Sequence, residues 1–394
     1  MAITAAQQLA LPTADGGVER YVPGAAPELP APTGKPPRTR VAIAAAHVVC
    51  DPLAPGDPIA EPAIDWDATL AYRRHLWSYG LGVAEAMDTA QRGGALTWPL
   101  AQELIKRSAA EATAVGGRLV CGAATDQLDP AAPAPLEEIT AAYLEQCTLI
   151  EGVGATPVVM CSRHLARTAR GAEDYRRVYD EVLGEASGPV MLHWLGEVFD
   201  PALRGYWGAV DPAEAIDAVA DLIAAHAERV DGIKVSLLDD ELERELRDRL
   251  PDGVRVYTGD DFNYPTLIRG DERGHSDALL GIFDAIAPVA AAALGALDAG
   301  DLERYDELFA PTVPLARHIF AAPTGSYKAG VVLLAYLNGH QSHFRMLGGM
   351  ESARSALHYA ELFRLADRAG VLADPERAAA RMRPVLELAG IEQP

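Results

Sequence analysis

Eight times between residues 40 and 287 this chain passes through a short, continuously apolar segment and then through a longer amphipathic one. The apolar segments lie at 41–46, 82–86, 118–123, 156–161, 189–194, 232–236, 254–257 and 278–282. Helical spacing fills the intervals at 67–79, 99–114, 136–151, 175–183, 212–227, 239–250 and 264–269. A strand that is apolar at consecutive positions has both faces covered, as in a parallel sheet, and helices between such strands supply the crossovers. Eight units in about 250 residues predict an α/β fold, a closed (β/α)8 TIM barrel over 40–287, rather than an open doubly wound sheet. No Gly-x-Gly-x-x-Gly turn follows the first strand, which weakens a dinucleotide-binding reading.

The flanks differ from the barrel region. Residues 1–39 are rich in Pro, Gly and Ala and predict an N-terminal hairpin and linker. Its strands fall at 3–11 and 18–22 around a turn at 14–17 that contains Asp15-Gly16, and 23–37 reads as extended chain. Residues 288–394 show only helical spacing, at 288–299, 302–320, 327–338, 351–369 and 375–389. This C-terminal helical extension is expected to pack on the barrel and to help build a homo-oligomer, a dimer or tetramer. Asp374-Pro375 has the form of a helix cap followed by a first-turn proline.

The formal charge of −22 disfavours nucleic acid and anionic membranes as partners. No apolar run approaches the roughly 18 residues of a spanning helix, and no basic-then-apolar leader opens the chain. Cys50, Cys121, Cys147 and Cys161 form no Cys-x-x-Cys pair and read as small core residues of a cytoplasmic protein.

Lysine usage singles out one position. Of 34 basic residues only four are lysines: Lys35, Lys106, Lys234 and Lys328. Lys234 alone sits inside a strand-like run, Val230-Asp-Gly-Ile-Lys-Val-Ser-Leu-Leu238. Burial lowers the pKa of an amine and frees its lone pair to attack a carbonyl, and strand ends on the C-terminal side of a barrel face its active site. The plainer reading is a lysine paired with a structural carboxylate.

The run Asp231-Gly-Ile-Lys-Val-Ser236 resembles the sixth strand of the dihydrodipicolinate synthase and N-acetylneuraminate lyase family, class I aldolase-like barrels whose lysine there forms an imine. Ala63-Ile-Asp-Trp-Asp67 through Gly80-Leu-Gly82 resembles that family's first helix and second strand. Val256-Tyr-Thr-Gly-Asp-Asp261 resembles its seventh strand end, and Gly274 through Pro288 its eighth strand and following helix. The resemblance spans residues 40–340 and points to a divergent, dihydrodipicolinate synthase-like branch. It implies a Schiff-base lyase or aldolase in which Lys234 is the nucleophile and in which neither cofactor nor metal is needed. Gly259, Asp260 and Asp261 would meet a small-molecule carbonyl substrate.

Departures from the family narrow the chemistry. Its second strand ends in Gly-Thr-Thr-Gly-Glu, which cradles a carboxylate; here 85–91 reads Glu-Ala-Met-Asp-Thr-Ala-Gln. Thr89 keeps one hydroxyl, whereas Asp88 repels a carboxylate, which favours a polyhydroxylated oxo sugar over pyruvate. His193 stands where the family carries a proton-shuttling tyrosine, and an unperturbed imidazole titrates near neutrality. His47 closes the first strand, and Arg163 and His164 are candidates to hold an anionic group. Two other readings stay open: a metal-dependent isomerase or epimerase using His47, Glu85, Asp88, His193 and Asp260, and a non-catalytic binding barrel.

Overall fold

The computed structural model describes residues 8–26 and 28–394. At the N-terminus β1 (Leu9–Pro12) and β2 (Val18–Tyr21) form an antiparallel hairpin, Leu9 opposite Tyr21 and Pro12 opposite Val18. The Thr13 hydroxyl and the Gly17 N–H donate to the Asp15 carboxylate, and Gly16 turns the chain at a φ of +84°, where a Cβ would be strained. The start of the first expected strand, 3–7, lies outside the described residues.

Eight parallel strands then close on themselves. They are β3 (Ala42–Ala45), β4 (Gly82–Glu85), β5 (Leu119–Ala123), β6 (Thr156–Val159), β7 (Val190–Leu195), β8 (Val230–Ser236), β9 (Arg255–Thr258) and β10 (Asp277–Leu280), with β10 bonded back to β3. Helices come between them: α1 (Trp66–Ser78), α2 (Trp98–Val115), α3 (Leu136–Gly152), α4 (Arg163–Thr168), α5 (Ala172–Glu185), α6 (Pro212–Ala225), α7 (Asp240–Arg247) and α8 (Tyr264–Arg269). The protein is thus an α/β, (β/α)8 TIM barrel. Side chains of Asp65, Asp211 and Asp239 accept the orphan N–H groups that open α1, α6 and α7. The short α4 has no counterpart in the sequence periodicity; Ser162 caps it by accepting from the Leu165 N–H.

The chain divides into two compact units. One comprises Pro36–Ala46 and Leu81–Gly281 and contains all eight barrel strands. Its core joins Ile43, Ala45, Ala84, Val120, Val158, Met191, Tyr257 and Leu279. At the N-terminal strand ends a polar network forms instead. Asp231 takes Arg255, Arg118 and the Tyr257 hydroxyl, while Asp277 takes Arg255 and the Val41 N–H. That end of a barrel serves stability, and chemistry gathers at the other.

The second unit takes in the described residues up to Lys35, His47–Gly80 and Ile282–Pro394. It holds the hairpin, α1 and six C-terminal helices: α9 (Ile282–Asp298), α10 (Leu302–Phe309), α11 (Thr312–Ile319), α12 (Lys328–Leu337), α13 (Ala356–Arg368) and α14 (Pro375–Leu388). Every residue of α12 after Lys328 is buried, as befits a helix apolar all round. Asp374 accepts from the Arg377 N–H and Pro375 opens α14, as the sequence predicts. The strand expected at 278–282 stops at Leu280, because Ile282 already opens α9. Among the described residues no helix is long and apolar enough to cross a membrane.

Candidate active site

Strand alternation puts Gly232, Lys234 and Ser236 on one face of β8 and Ile233 and Val235 on the other. Lys234 is register partner to His193 on β7 and to Tyr257 on β9. Its side chain is buried, and burial draws the amine below its ordinary pKa, while the charges of Asp88 and Asp261 oppose that fall. Gly259, just past β9, donates its N–H to the Val235 carbonyl at 2.8 Å. A Cβ at 259 would stand 2.2 Å from Ser236 Oγ and 2.8 Å from Lys234 Cε. Only glycine leaves room for the lysine to extend.

His193 Nε2 lies 3.1 Å from Ser236 Oγ, and its Nδ1 is buried without a hydrogen-bond partner among the described residues. Burial first, and the Lys234 charge second, push the imidazole well below 6.5. The near-neutral titration expected of His193 therefore gives way to an uncharged ring at pH 7. Nε2 and the Ser236 hydroxyl are within hydrogen-bonding distance, the donor being set by the tautomer of the ring. Ser236 escaped the sequence reading, although its place two residues beyond Lys234 was a usable signal for the same strand face.

The other candidates differ in what engages them. Asp88 opens a one-turn 3-10 helix, Asp88–Ala90, that also holds the buried Thr89. Asp88 is half-buried and joins Lys234 electrostatically, as does the buried Asp261. Asp260 is engaged in its own turn: it accepts from Phe262 N–H, Asn263 N–H and Asn263 Nδ2. His47 belongs to the other unit, where both oxygens of Asp284 lie within 3.2 Å of its Nδ1. Glu85 accepts from Ala86 N–H and from the Ser108 hydroxyl. Among the described residues no three His, Cys, Asp or Glu side chains gather as a metal-holding group, so the five-residue metal set does not assemble.

A cavity of about 470 Å³ opens in the barrel unit at the C-terminal ends of β4 to β7. Asp88, Thr125, Cys161, Ser162, Arg167 and Leu195 are among its lining residues. Cys161 donates to the His193 carbonyl and accepts from the Leu195 N–H, and burial pushes its thiol up to about 12, so it serves packing rather than nucleophilic attack. His164 also lines the cavity but is fully engaged. Its Nε2 faces the Asp129 carbonyl, which only accepts, so Nε2 carries the proton and Nδ1 accepts from the Thr125 hydroxyl. The anion-binding role considered for His164 therefore has no free nitrogen to act through.

Against known proteins, residues 9–391 match the model of a family described as a protein of unknown function, DUF993. No curated protein matches. Among solved structures, the dihydrodipicolinate synthase from Aquifex aeolicus is similar with a TM-score of 0.64 at 15% identity, covering 85% of this chain and 99% of its own. That from Oceanobacillus iheyensis gives 0.62 at 14%, covering 83% and 95%. The chloride-inhibited enzyme from Acinetobacter baumannii, complexed with pyruvate, gives 0.61 at 15%, covering 85% and 100%. The resemblance read from Asp231–Ser236 and across residues 40–340 is thus borne out, as a divergent form of the dihydrodipicolinate synthase fold.

Proposed function

The chain belongs to the DUF993 family, and we propose that it is a Schiff-base-forming lyase or aldolase acting on an oxo acid or polyhydroxylated oxo sugar. The observation that carries this reading is the buried Lys234 amine, its pKa lowered, set between Gly259 and the His193–Ser236 pair. The similar fold of dihydrodipicolinate synthases, one of them solved with pyruvate, supports a carbonyl substrate.

The free amine of Lys234 adds to the carbonyl carbon, forming a C–N bond as the C=O π pair moves to oxygen. The carbinolamine takes up a proton at that oxygen and loses water, leaving an iminium. The iminium then accepts the electron pair released when a neighbouring C–C bond breaks or when a proton leaves the adjacent carbon. The enamine so formed can in turn expel a hydroxyl from the next carbon, the C–O pair leaving with an oxygen that takes up a proton. His193, uncharged and joined to Ser236, takes and returns these protons. Asp88 accepts hydrogen bonds from substrate hydroxyls, a role an acceptor-only carboxylate fills better than it meets a second carboxylate. Thr89, Asp261 and Gly259 complete the proposed binding wall; His47 and Asp260 are held by Asp284 and by the turn. Four free thiols suit a cytoplasmic setting, and a homo-oligomer remains part of the proposal.

Borohydride reduction with a panel of oxo sugars and oxo acids tests the reading. The reduced substrate should add its mass to the peptide that carries Lys234. Lys234→Ala should lose both adduct and turnover, and His193→Phe should slow turnover by about 10²–10⁴-fold. Normal turnover in Lys234→Ala would overturn the mechanism.

A further inference from the structure

We infer that the cavity at the ends of β4 to β7 takes a substrate whose far end is anionic, a carboxylate or a phosphate, and that Arg167 receives it. The inference rests on the Lys234 reading for the near end of the substrate only.

Three arginines line the cavity, and they differ in what neutralises them. Arg92 is bonded through Nε and Nη2 to both oxygens of Asp126. Arg163 pairs with Asp200 at 2.5 Å and donates to the Gly93 carbonyl. Arg167 has no carboxylate partner among the described residues. Its Nη1 donates to the carbonyls of Pro130 and Ala132, at 3.0 and 3.4 Å, which fixes the side chain and leaves its charge uncompensated. Nε and Nη2 remain for a ligand, in the fork geometry that suits carboxylate and phosphate oxygens.

The cavity is also polar in a particular direction. Asp88, whose charge acts on Lys234 and on Cys161, marks the side where the carbonyl reacts and repels an anion there. Arg167 lies in the last turn of α4, roughly 6 Å along the helix axis from Arg163. Lys234 does not itself line the cavity; Asp88 does, and its charge acts on the Lys234 amine, so a substrate entering here would present its hydroxyls to Asp88 and its anion to Arg167. On a chain of net charge −22, an anionic substrate needs such a local cation to approach.

Calorimetric binding of three ligands separates the possibilities: ribulose as the neutral control, ribulose 5-phosphate, and 5-ketogluconate, which ends in a carboxylate. In Lys234→Ala, where no imine forms, at least one anionic ligand should bind about tenfold more tightly than ribulose. The better of the two tells phosphate from carboxylate. Adding Arg167→Ala should erase the preference while ribulose binding holds, which also reports an intact fold. An absent preference, or one that survives Arg167→Ala, would overturn the inference. Failure of the wild-type protein to form a borohydride adduct, with an Arg167-dependent preference intact, would sink the imine reading and leave the anion site standing.

Discussion

The reactivity of Lys234 depends on a contest between burial and two carboxylates. Burial takes the amine below its ordinary value, and Asp88 and Asp261 hold the proton on. Asp88→Asn removes one of the opposing charges, so the amine should lose its proton at lower pH. A charge partner at close range moves a pKa by about one unit or more. The pH at which borohydride trapping reaches half its plateau should therefore fall by about one unit in Asp88→Asn; an upward shift would show that Asp88 does not sustain the ammonium. The His193 ring, held well below 6.5, should leave no titration of its own near neutrality. At this scale the sequence yields the lysine, because a lysine in an apolar strand of an arginine-rich chain is chemically out of place. It does not yield the state of His193, since desolvation depends on neighbours from other strands. Nor does it reveal that Asp260 is engaged by its own turn while Asp261 next to it reaches Lys234.

Elements were legible wherever the period was long and uninterrupted. The barrel strands and most helices stand within a few residues of their expected bounds, and misses follow local chemistry. The helix expected over 302–320 breaks after Phe309, because Pro311 cannot donate to the preceding turn and its ring crowds that turn's carbonyl. The one expected from 351 begins at Ala356, because Ser355 caps it there by accepting from the His358 N–H. Periodicity is blind to charge placed against the grain of an element. Glu243, on α7, is buried, accepts from the Ser276 hydroxyl and leaves Oε2 without a hydrogen-bond partner among the described residues. Burial pushes its carboxyl up to about 8. In the unfolded chain it titrates near 4.3. The folded state thus holds the proton more tightly, and the stability this contributes is complete below about 4.3 and is lost as pH rises through about 8. Glu243→Gln removes the ionisation. The variant should gain on wild type as pH rises, by on the order of a few kcal/mol between pH 5 and pH 9, read from chemical denaturation at the two values. No gain between the two values would mean that Glu243 ionises without penalty.

Across the whole molecule, the ends of the chain meet within one unit. A two-stranded hairpin is marginal alone in water, so β1 and β2 need a partner surface. The C-terminal helices provide it. Arg364 on α13 bonds to Glu19 and to the Pro12 carbonyl, and Asp367 takes the Tyr21 hydroxyl. The Gln393 side chain both accepts from Ala10 N–H and donates to its carbonyl. These polar clamps are partly exposed, whereas Leu9 and Leu11 are fully buried. Exposed or half-exposed pairs contribute about 1 kcal/mol or less, while truncating a buried leucine to alanine costs about 2–5 kcal/mol through lost transfer energy and the cavity left behind. The apolar residues should therefore dominate. Leu11→Ala should lower the melting temperature of this unit by on the order of 10 °C, and Tyr21→Phe by no more than a few degrees. Amide hydrogen exchange should quicken in α13 and α14 of Leu11→Ala, since those helices lose the surface that the hairpin covers. If Tyr21→Phe proved the more damaging, the clamps to Asp367 would be what joins the two ends of the chain, and the burial of Leu9 and Leu11 would be incidental to it.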